Sequence, residues 1–303
     1  MTIRRKLTAA IADENIFENE PMAGHTSFKA GGCADLLVVP QSMEELKAVL
    51  QTLSGEDAEY VILGNGSNIL VRDGGYRGII VKIGDAFNHT KADGRELVCG
   101  AGTLMSVVSK AAVLAELSGL EFASGIPGTI GGAVFMNAGA YGGETSQILK
   151  EARLVSRDGR EEFCMTAEEL QMGYRHTLLH ETGHIVTEVV LRLEEGREEE
   201  IREKIADFTG RRNSKQPVTY PSAGSFFKRP EGYFAGTLIQ DAGLKGLTVG
   251  GAQVSELHAG FIINKGGATA ADILQLMEIV QAEVLDKYGV KLEPEVRIIG
   301  ESV

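Results

Sequence analysis

A glycine-rich stretch of twenty residues, 124–143, constrains the fold of this chain more than any other feature of its sequence. Seven of the twenty residues are glycine and none is charged, whereas the whole chain holds 38 glycines in 303 residues. Glycine loses more conformational entropy on folding than any other residue, so an ordered segment this rich in glycine has a purpose that side chains would obstruct. The usual purpose is a close approach of backbone N–H groups to a phosphate or a flat ligand. We therefore interpret residues 124–143, the cradle segment, as a ligand-binding element.

Three simpler explanations compete with a ligand site. A transmembrane helix is disfavoured because the run is barely long enough to span a bilayer and is broken by Pro127 and the glycines. A flexible linker is disfavoured because Ile130, Val134 and Phe135 make the run too apolar for a solvated tether. A buried turn region that binds nothing remains open at this point.

Length, charge and cysteine content narrow the class of protein. A chain of 303 residues suggests about two domains, and its net charge of −12 argues against a general nucleic-acid-binding protein. A local basic pocket for a small anion stays compatible with that charge. The three cysteines are far apart and in no Cys-x-x-Cys pattern, which indicates reduced thiols in a cytoplasmic protein. Acidic residues rather than an apolar signal core follow the basic first residues, so we expect neither secretion nor a membrane partner.

Hydrophobic periodicity predicts a mixed α+β chain. Ser42-x-x-Glu45 is a capping box ahead of a helix, which lies between predicted strands over 35–40 and 60–63. Thr103 is expected to cap a second helix.

The middle and the end of the chain continue this mixture. Asp158-Gly159 predicts a hairpin, and Thr166-x-x-Glu169 is a second capping box that is expected to open a short helix. A final helix is predicted from Ala270 to Tyr288 and should stop at Gly289. A highly charged amphipathic helix over residues 194–212 separates these parts. The predicted domains are 1–88, 89–196 and 197–303.

Two sequence motifs match known sites without the context that those sites need. Gly64-x-Gly66 follows a strand as in a dinucleotide fingerprint, but the third glycine is missing and residues 70–75 predict a strand and turn rather than a helix. Its N–H groups with Ser67 and Asn68 still suit a pyrophosphate.

The second motif is His180-Glu-Thr-Gly-His184, a literal HExxH. A zinc site needs both histidines on one face of a stable helix, and Gly183 with the β-favouring residues that follow it argues against that helix. We expect a turn and no metal.

A basic cluster interrupts the acidic C-terminal part. Lys215, Lys228 and Arg229 either form a solvated surface or clamp a phosphorylated substrate. Ser225 lies between a glycine and two phenylalanines, which by itself is weak support for a reactive hydroxyl. Glu295 enters an apolar strand, where a plain cross-strand ion pair is the simplest interpretation.

Six segments spread over almost the whole chain carry a resemblance to a known family. They are Gly64-Asn65-Gly66-Ser67-Asn68, Gly125-Ile126-Pro127-Gly128, Asn137-Ala138-Gly139-Ala140-Tyr141-Gly142, Tyr174-Arg175, Ala223-Gly224-Ser225-Phe226-Phe227-Lys228 and Leu292-Glu293-Pro294-Glu295-Val296-Arg297-Ile298-Ile299-Gly300. In this order they resemble the MurB family, the UDP-N-acetylenolpyruvoylglucosamine reductases of peptidoglycan synthesis.

The resemblance implies a fold, a cofactor and a reaction. The implied fold is an FAD-binding region of the vanillyl-alcohol-oxidase (PCMH) type, made of two α+β subdomains, followed by a C-terminal α+β substrate-binding domain. The implied reaction is reduction of UDP-N-acetylglucosamine enolpyruvate to UDP-N-acetylmuramate, with NADPH as hydride donor. Histidine and cysteine, which hold FAD covalently in many enzymes of this fold, are missing from the cradle segment, in agreement with non-covalent FAD.

The resemblance also assigns roles to residues. It implies Ser225 as the proton donor, with Arg175 and Glu295 as its catalytic partners. The FAD-binding residues that it suggests are Gly64, Asn65, Gly66, Ser67, Asn68, Gly102, Ser124, Gly125, Ile126, Pro127, Gly128, Gly131, Gly132, Ala133, Asn137, Gly139, Ala140 and Tyr141. The predicted substrate-binding residues are Lys215 for the diphosphate, then Lys228, Arg229, Gln253 and His258, with Tyr220 as a further candidate.

Departures from the family pattern leave alternatives open. Arg229 stands where some members have asparagine, and the tyrosine-bearing loop of the longer branch is missing, so the chain resembles the shorter branch. The alternatives are another FAD-dependent oxidase or dehydrogenase of the same fold, and a nucleotide-sugar-binding regulator without catalysis. A monomer is expected.

Overall fold

The computed structural model describes residues 2–303, which form two compact units that share the chain in an interleaved way. Unit 1 contains the described residues up to Glu18, Leu36–Asn65 and Gly78–Arg211. Unit 2 contains Asn19–Asp35, Gly66–Arg77 and Arg212–Val303. The chain changes unit inside three strands, so neither unit is a continuous piece of sequence.

Helices and strands are mixed along the whole chain, as the α+β prediction requires. The helices are α1 (Ile3–Leu7), α2 (Met43–Gly55), α3 (Met105–Leu114), α4 (Ile130–Phe135), α5 (Leu179–Thr182), α6 (Glu198–Lys215), α7 (Ala235–Asp241) and α8 (Ala270–Tyr288). The strands are β1 (Ile16–Pro21), β2 (Cys33–Val38), β3 (Tyr60–Leu63), β4 (Ile69–Val71), β5 (Tyr76–Lys82), β6 (Thr90–Asp93), β7 (Glu96–Gly100), β8 (Leu117–Ser118), β9 (Gly139–Ala140), β10 (Gly143–Glu144), β11 (Leu149–Val155), β12 (Glu162–Thr166), β13 (Ile185–Arg192), β14 (Glu194–Glu195), β15 (Thr248–Val249), β16 (Ala252–Val254), β17 (Ile262–Asn264) and β18 (Arg297–Ile299). Among the described residues, no helix is both long and apolar enough to span a bilayer.

One part of unit 1 consists of helix α2 and the parallel strand pair β3 and β5. The Ser42 hydroxyl accepts the backbone N–H of Glu45 (3.1 Å), so the predicted cap by Ser42 is confirmed, whereas Glu45 Oε2 accepts the N–H of Gln41 (2.7 Å) and not that of Ser42 as a capping box requires. The helix buries Leu46, Leu50 and a few apolar neighbours against the core. Strand β3 pairs in parallel with β5, from the pair Tyr60/Ile79 onwards. This places the loop after Leu63 at the carboxyl end of both strands.

The larger part of unit 1 is a five-stranded antiparallel sheet in the order β12, β11, β13, β7, β6. Strands β11 and β12 form the hairpin predicted at Asp158-Gly159, where Gly159 has a left-handed φ of 75°. Strand β13 is central in the sheet and buries most of its residues. Helix α4 of the cradle segment packs on the same core, through buried Ile130 and Val134.

Unit 2 is organised around helix α8 and a three-stranded antiparallel sheet in the order β15, β16, β17. Thr269 and Asp272 form a capping box at the start of α8, and Gly289 ends the helix with a left-handed φ of 66°. The predicted bounds of this helix are confirmed. Strands β4 and β18 pair in parallel, with Ile69 opposite Arg297.

Two predicted helix starts are wrong. Thr103 does not cap α3, because its hydroxyl donates to the backbone carbonyl of His89 (3.0 Å) and also accepts the N–H of His89 (3.1 Å). Thr166 and Glu169 do make both hydrogen bonds of a capping box, but only turns follow them. Helices α4 and α7, which were not predicted, are short and rich in glycine and alanine, so their sequence period is weak.

The predicted domain boundaries 1–88, 89–196 and 197–303 stay a prediction. The compact units divide the chain differently, since residues 19–35 and 66–77 belong with the C-terminal segment.

Candidate active site

Glycines of the cradle segment and of two earlier loops let four backbone segments of unit 1 approach one another closely. A Cβ atom at Gly64 would lie 2.6 Å from Thr129 Oγ1, and one at Gly131 would lie 2.8 Å from the Cβ of Ala101. A Cβ at Gly102 would overlap the carbonyl oxygen of Gly84. Any side chain at these positions would push the segments apart, so the local structure requires glycine there.

Backbone hydrogen bonds fix the cradle segment on the loop after β7. Ile130 N donates to Thr103 O (2.8 Å), and Gly131 N donates to Ala101 O (3.0 Å). In return, Met105 N donates to Gly128 O (3.0 Å). The segment is therefore an ordered part of the fold rather than a flexible loop.

Ser124 supplies the observation that tests whether the cradle segment suits a polar ligand. Its Oγ is buried and has no hydrogen-bond partner among the described residues. A buried hydroxyl without a partner costs about 1–3 kcal/mol, so such groups usually face a ligand or ordered water. The neighbours Gly125 and Ile126 are half-buried, whereas Pro127 is exposed. This arrangement fits a flat, polar cofactor such as FAD.

Asn137 to Tyr141 form the far end of the cradle segment. Strands β9 and β10 make a small hairpin there, and Asn137 and Tyr141 both have left-handed φ values, 41° and 53°. The Tyr141 ring stacks on Phe208 of α6, with centroids 4.9 Å apart. A Cβ at Gly139 would lie 2.6 Å from the carbonyl oxygen of Gly143, so this hairpin also depends on glycine.

Arg175 reaches back to the cradle segment from a tight turn. Its Nη1 donates to the carbonyl oxygen of Asn137 (3.3 Å) and its Nη2 to that of Gly139 (3.2 Å). The guanidinium carbon also lies 5.2 Å from the centroid of the Tyr174 ring. The planar guanidinium is thus held in one orientation beside the cradle segment.

In unit 2, the loop Gly66-Ser67-Asn68 is tied to the segment that contains Glu295. Asn68 Nδ2 donates to the carbonyl oxygen of Glu295 (3.2 Å), and the N–H of Arg297 donates to Asn68 O (3.0 Å). Gly66 has a φ of 64°, and a Cβ there would overlap the carbonyl oxygen of His25. The predicted loop is therefore brought to one of the predicted catalytic residues.

Ser225 and Glu295 are brought together by paired backbone segments of unit 2. Glu295 N donates to Phe226 O (2.8 Å), and Lys228 N donates to Glu293 O (2.9 Å). The Ser225 hydroxyl donates to Phe227 O (3.2 Å). Two of the three predicted catalytic residues thus lie on adjacent segments, although they are 70 positions apart in the sequence.

His258 and Gly260 form one wall beside Ser225. Gly260 O accepts the N–H of Phe226 (2.8 Å), and a Cβ at Gly260 would lie 3.5 Å from Ser225 Oγ and 3.0 Å from His258 Cε1. His258 Nδ1 accepts the N–H of Gly260 (3.1 Å), which assigns the ring proton of the neutral form to Nε2. Burial lowers the pKa of His258, so the ring is neutral at pH 7.

The other predicted substrate-binding residues differ in how many contacts their side chains make within the protein. Lys228 Nζ lies 3.7 Å from Glu293 Oε2, and the Arg229 guanidinium lies 3.9 Å from the centroid of the Phe234 ring. Lys215 is exposed at the end of α6. Gln253 is buried and its amide donates to Gly246 O and Thr248 Oγ1, which gives it a structural role within unit 2. The exposed Tyr220 follows α6.

The HExxH match lies on a single helical turn. Helix α5 covers Leu179–Thr182 and Gly183 ends it with a φ of 67°, so His180 and His184 do not share a helix. The described residues contain no group of three or more potential metal ligands.

Sequence reasoning missed Thr129, Phe208 and Gly260. The Thr129 hydroxyl accepts the N–H of Gly132 and so caps α4. The same hydroxyl lies so close to Gly64 that it leaves no room for a side chain there. The Thr-x-x-Gly spacing could have suggested that cap, but Phe208 and Gly260 act through partners more than 30 residues away, which no local pattern reveals.

Comparisons with known proteins cover both units. A family profile described as "FAD binding domain" matches residues 34–164, and one described as "UDP-N-acetylenolpyruvoylglucosamine reductase, C-terminal domain" matches residues 216–299. The UDP-N-acetylenolpyruvoylglucosamine reductase of Alkaliphilus oremlandii is 50% identical over 297 residues, which is 98% of this chain and 97% of the relative. The chain belongs to the UDP-N-acetylenolpyruvoylglucosamine reductase family.

Other members of the reductase family support the same assignment. The protein of that name from Clostridioides difficile is 48% identical over 291 residues, or 96% of this chain and 95% of the relative. The crystal structure of the MurB reductase from Thermus caldophilus matches with a TM-score of 0.81 at 37% identity, over 94% of this chain and 98% of that one. The predicted MurB resemblance and fold class are confirmed.

Proposed function

We propose that this protein reduces UDP-N-acetylglucosamine enolpyruvate to UDP-N-acetylmuramate for peptidoglycan synthesis, with FAD as bound cofactor and NADPH as electron donor. The observation that carries the proposal is the 50% sequence identity to a known reductase over 98% of this chain. The chain also contains Arg175, Ser225 and Glu295, the three residues to which the resemblance assigns catalytic roles. A regulator that only binds nucleotide sugars would have no need of a proton donor.

The cradle segment is proposed to hold FAD. When bound, FAD would supply hydride transfer between NADPH and the enolpyruvyl double bond. Gly64, Gly102 and Gly131 keep the surrounding backbone close, and the buried Ser124 hydroxyl is the polar group best suited to a hydrogen bond with the cofactor. The profile described as an FAD-binding domain covers residues 34–164, most of which belong to unit 1, so we expect FAD binding to depend mainly on that unit.

Arg175 is proposed to stabilise the negative charge that grows on the substrate carboxylate as the double bond is reduced. Its guanidinium is always charged and offers five N–H donors in one plane, which suits a carboxylate or an enolate. The carbonyl oxygens of Asn137 and Gly139 already orient that plane.

Ser225 is proposed to donate the proton that C2 of the substrate takes up. An unassisted hydroxyl is a weak acid, so a nearby charge or a bound water has to assist it. Glu295 lies on the adjacent segment, but a bare carboxylate would repel the growing negative charge. The proposal therefore requires Glu295 to be protonated or to act through a bound water or cation.

The basic residues of unit 2 are proposed to hold the UDP part of the substrate. Lys215 and Lys228 carry exposed ammonium groups that can bind a diphosphate. Arg229 is already oriented by its contact with the Phe234 ring. Gln253 and His258 are weaker members of this set, since the former is occupied by the protein and the latter is neutral at pH 7.

A cytoplasmic location is also proposed. All three cysteines are free thiols, as expected in a reducing compartment. The monomeric state stays a prediction that analytical ultracentrifugation would test.

The visible absorption spectrum tests the proposed function in one experiment. The purified protein should be yellow, should bleach on anaerobic addition of NADPH, and should regain its colour on addition of the enolpyruvyl nucleotide sugar. A protein that bleaches without recovery would have the cofactor and donor but another acceptor. A protein that cannot be loaded with FAD would contradict the proposal as a whole.

The variant Ser225→Ala tests the proton donor. We expect flavin reduction by NADPH at a rate close to that of the wild type, and loss of substrate turnover by about 10²–10⁴-fold. Stopped-flow absorbance measures the two half-reactions separately. Ser222→Ala, three residues earlier in the same segment, is the matched control and should keep both rates. Slow reduction by NADPH in Ser225→Ala would count against the assignment.

A further inference from the structure

The side chain of Asn137 is fully enclosed by protein, although it lies in a segment proposed to bind a cofactor. Its exposed fraction is 0%. Asn137 Nδ2 donates to the carbonyl oxygen of Gly173 (3.0 Å), and Oδ1 accepts the N–H of Ser146 (2.9 Å). Both ends of the amide are therefore engaged within unit 1, and the enclosed side chain presents no exposed surface to a ligand.

The bond to Gly173 holds the base of the turn that carries Arg175. Gly173 N donates to His176 O (2.9 Å) and His176 N donates to Gly173 O (3.3 Å), so two residues, Tyr174 and Arg175, form the tip. Arg175 has a left-handed φ of 54°, which is strained for a long side chain. Such a conformation persists only where the surroundings impose it, and the amide of Asn137 is one of the groups that do so.

The Arg175 guanidinium also bonds to Asn137, through its backbone carbonyl. Its Nη1 donates to the backbone carbonyl of Asn137 and its Nη2 to that of Gly139. Asn137 itself has a φ of 41°, a conformation that asparagine tolerates better than most residues. Asn137 therefore acts at two places: its side chain bonds to Gly173 at the base of the turn, and its backbone carbonyl accepts a hydrogen bond from the Arg175 guanidinium.

We propose that Asn137 is a positioning residue, which fixes Arg175 for the reaction and does not bind FAD through its side chain. This inference rests on the proposed function, because it assumes that Arg175 stabilises charge on the substrate. A displacement of about 1 Å in a group that stabilises a transition state can lower a rate about 100-fold. Loss of the hydrogen bond from the Asn137 side chain to Gly173 O should displace Arg175 by about that distance.

The variant Asn137→Asp tests the proposal with the smallest change of shape. Aspartate keeps an acceptor for the N–H of Ser146 and tolerates the left-handed φ, but it has no N–H to donate to Gly173 O. We expect re-oxidation of the reduced flavin by the enolpyruvyl substrate to slow by about 10- to 100-fold, in kcat more than in KM. The affinity of the apo-protein for FAD, followed by fluorescence, and the rate of reduction by NADPH should stay within about threefold of the wild type.

Two further variants keep this test interpretable. Asn19→Asp makes the same substitution at an exposed asparagine with a left-handed φ of 54°, and should leave all three quantities unchanged. Asn137→Gly removes the side chain without penalising the backbone angle, and it should show the same selective loss if the aspartate variant does not fold.

A double-mutant cycle with Arg175→Lys separates positioning from a general structural effect. If Asn137 acts through Arg175, the change Asn137→Asp should cost less than about threefold in the Arg175→Lys background. Equal losses in both backgrounds would overturn the positioning role, as would an Asn137→Asp enzyme whose only defect is weak FAD binding. A wild-type protein whose reduced flavin the substrate does not re-oxidise would instead overturn the proposed function.

Discussion

Two independent constraints require glycine at position 66: the lack of space for a Cβ atom and a left-handed backbone angle. Gly66 has a φ of 64°, and a Cβ there would overlap the carbonyl oxygen of His25. Gly94 has a similar φ of 56° but nothing within 4 Å of an added Cβ. We expect Gly94→Ala to lower the free energy of unfolding by about 1–2 kcal/mol, and Gly66→Ala by at least about 3 kcal/mol, as measured by urea denaturation. Equal losses would contradict the proposed clash.

Glu121 is a buried carboxylate whose ionisation links stability to pH. Burial alone would raise its pKa, but hydrogen bonds from Ser118 Oγ (2.7 Å) and Gly119 N (2.8 Å), with the charge of Lys204, hold the pKa below its ordinary value of 4.5. The unfolded chain therefore takes up this proton first as the pH falls. The stability that Glu121 contributes is complete above pH 4.5 and is lost as the pH drops through the folded-state pKa.

The variant Glu121→Gln tests this linkage. It should be less stable than the wild type at pH 7, by about 1–2 kcal/mol, because the charged acceptor is lost. The difference should stay constant from about pH 6 to 4.5 and shrink as the pH is lowered further, to about 3, since the wild type alone loses this contribution. Thermal unfolding across that range measures both, with exposed Glu199→Gln as the control. A constant difference at all pH values would exclude Glu121 as the titrating group.

At the scale of residues, the sequence predicted which residue types the site needs better than it predicted which residues contact each other. The need for glycine at Gly131 was visible in the composition of residues 124–143, because an ordered segment so rich in glycine has to be explained by close backbone approach. The bonds from Arg175 to the carbonyl oxygens of Asn137 and Gly139 were not visible. They join residues more than 35 positions apart, and the fold alone brings those residues together.

Helix α8 depends on a carboxylate from a distant loop as well as on its own cap. Asp73 accepts the N–H of Ala270 (2.9 Å) and that of Ala271 (2.7 Å), two of the four N–H groups that a helix start leaves without intrahelical partners. The Asp73 carboxylate also carries the sign of charge that the helix dipole favours at this end. The cap thus fastens residues 66–77 to the C-terminal segment of unit 2.

Removal of this second cap should destabilise the protein. We expect Asp73→Ala to lower the free energy of unfolding by about 0.5–2 kcal/mol. Asp286→Ala, at an exposed position near the other end of the same helix, should change it by less than about 0.5 kcal/mol. Chemical denaturation of both variants gives the comparison. Similar losses in both would mean that Asp73 acts only as a general surface charge.

At the scale of elements, local signals decided which predictions held. The end of α8 was predicted from Gly289, which does end the helix with a left-handed φ, and the structure adds a capping box of Thr269 and Asp272 at its start. Thr103 carried the same kind of signal but bonds to His89, 14 residues earlier, so a tertiary contact overrode its local preference. Helix α7 was missed because it is only seven residues long and has neither a clear apolar period nor a side-chain cap.

At the scale of the molecule, the core of unit 2 is assembled from distant parts of the sequence. Phe28 and Leu70 are fully buried in the same cluster as Phe226. The rings of Phe28 and Phe226 lie 6.1 Å apart, and Asn264 Nδ2 donates to Phe28 O (3.0 Å). The region that matches the C-terminal family profile therefore contains only part of the core of unit 2, and we expect it not to fold alone.

A fragment of residues 212–303 tests that conclusion. Without residues 19–35 and 66–77 it lacks two fully buried core side chains, and removal of each such side chain costs about 2–5 kcal/mol. We expect circular dichroism of the fragment to show no cooperative thermal transition, whereas the whole chain unfolds cooperatively. A cooperative transition in the fragment would show that unit 2 folds without its N-terminal segments.

Because unit 2 is built from early and late parts of the chain, it cannot complete its fold until the last part has been synthesised. Residues 19–35 and 66–77 leave the exit tunnel early, but the segment that covers them begins only at Arg212. At about 5–20 residues per second, this wait is on the order of ten seconds. During that time Phe28 and Leu70 have no final partners, so the nascent protein should depend most on chaperones while its middle third is being translated.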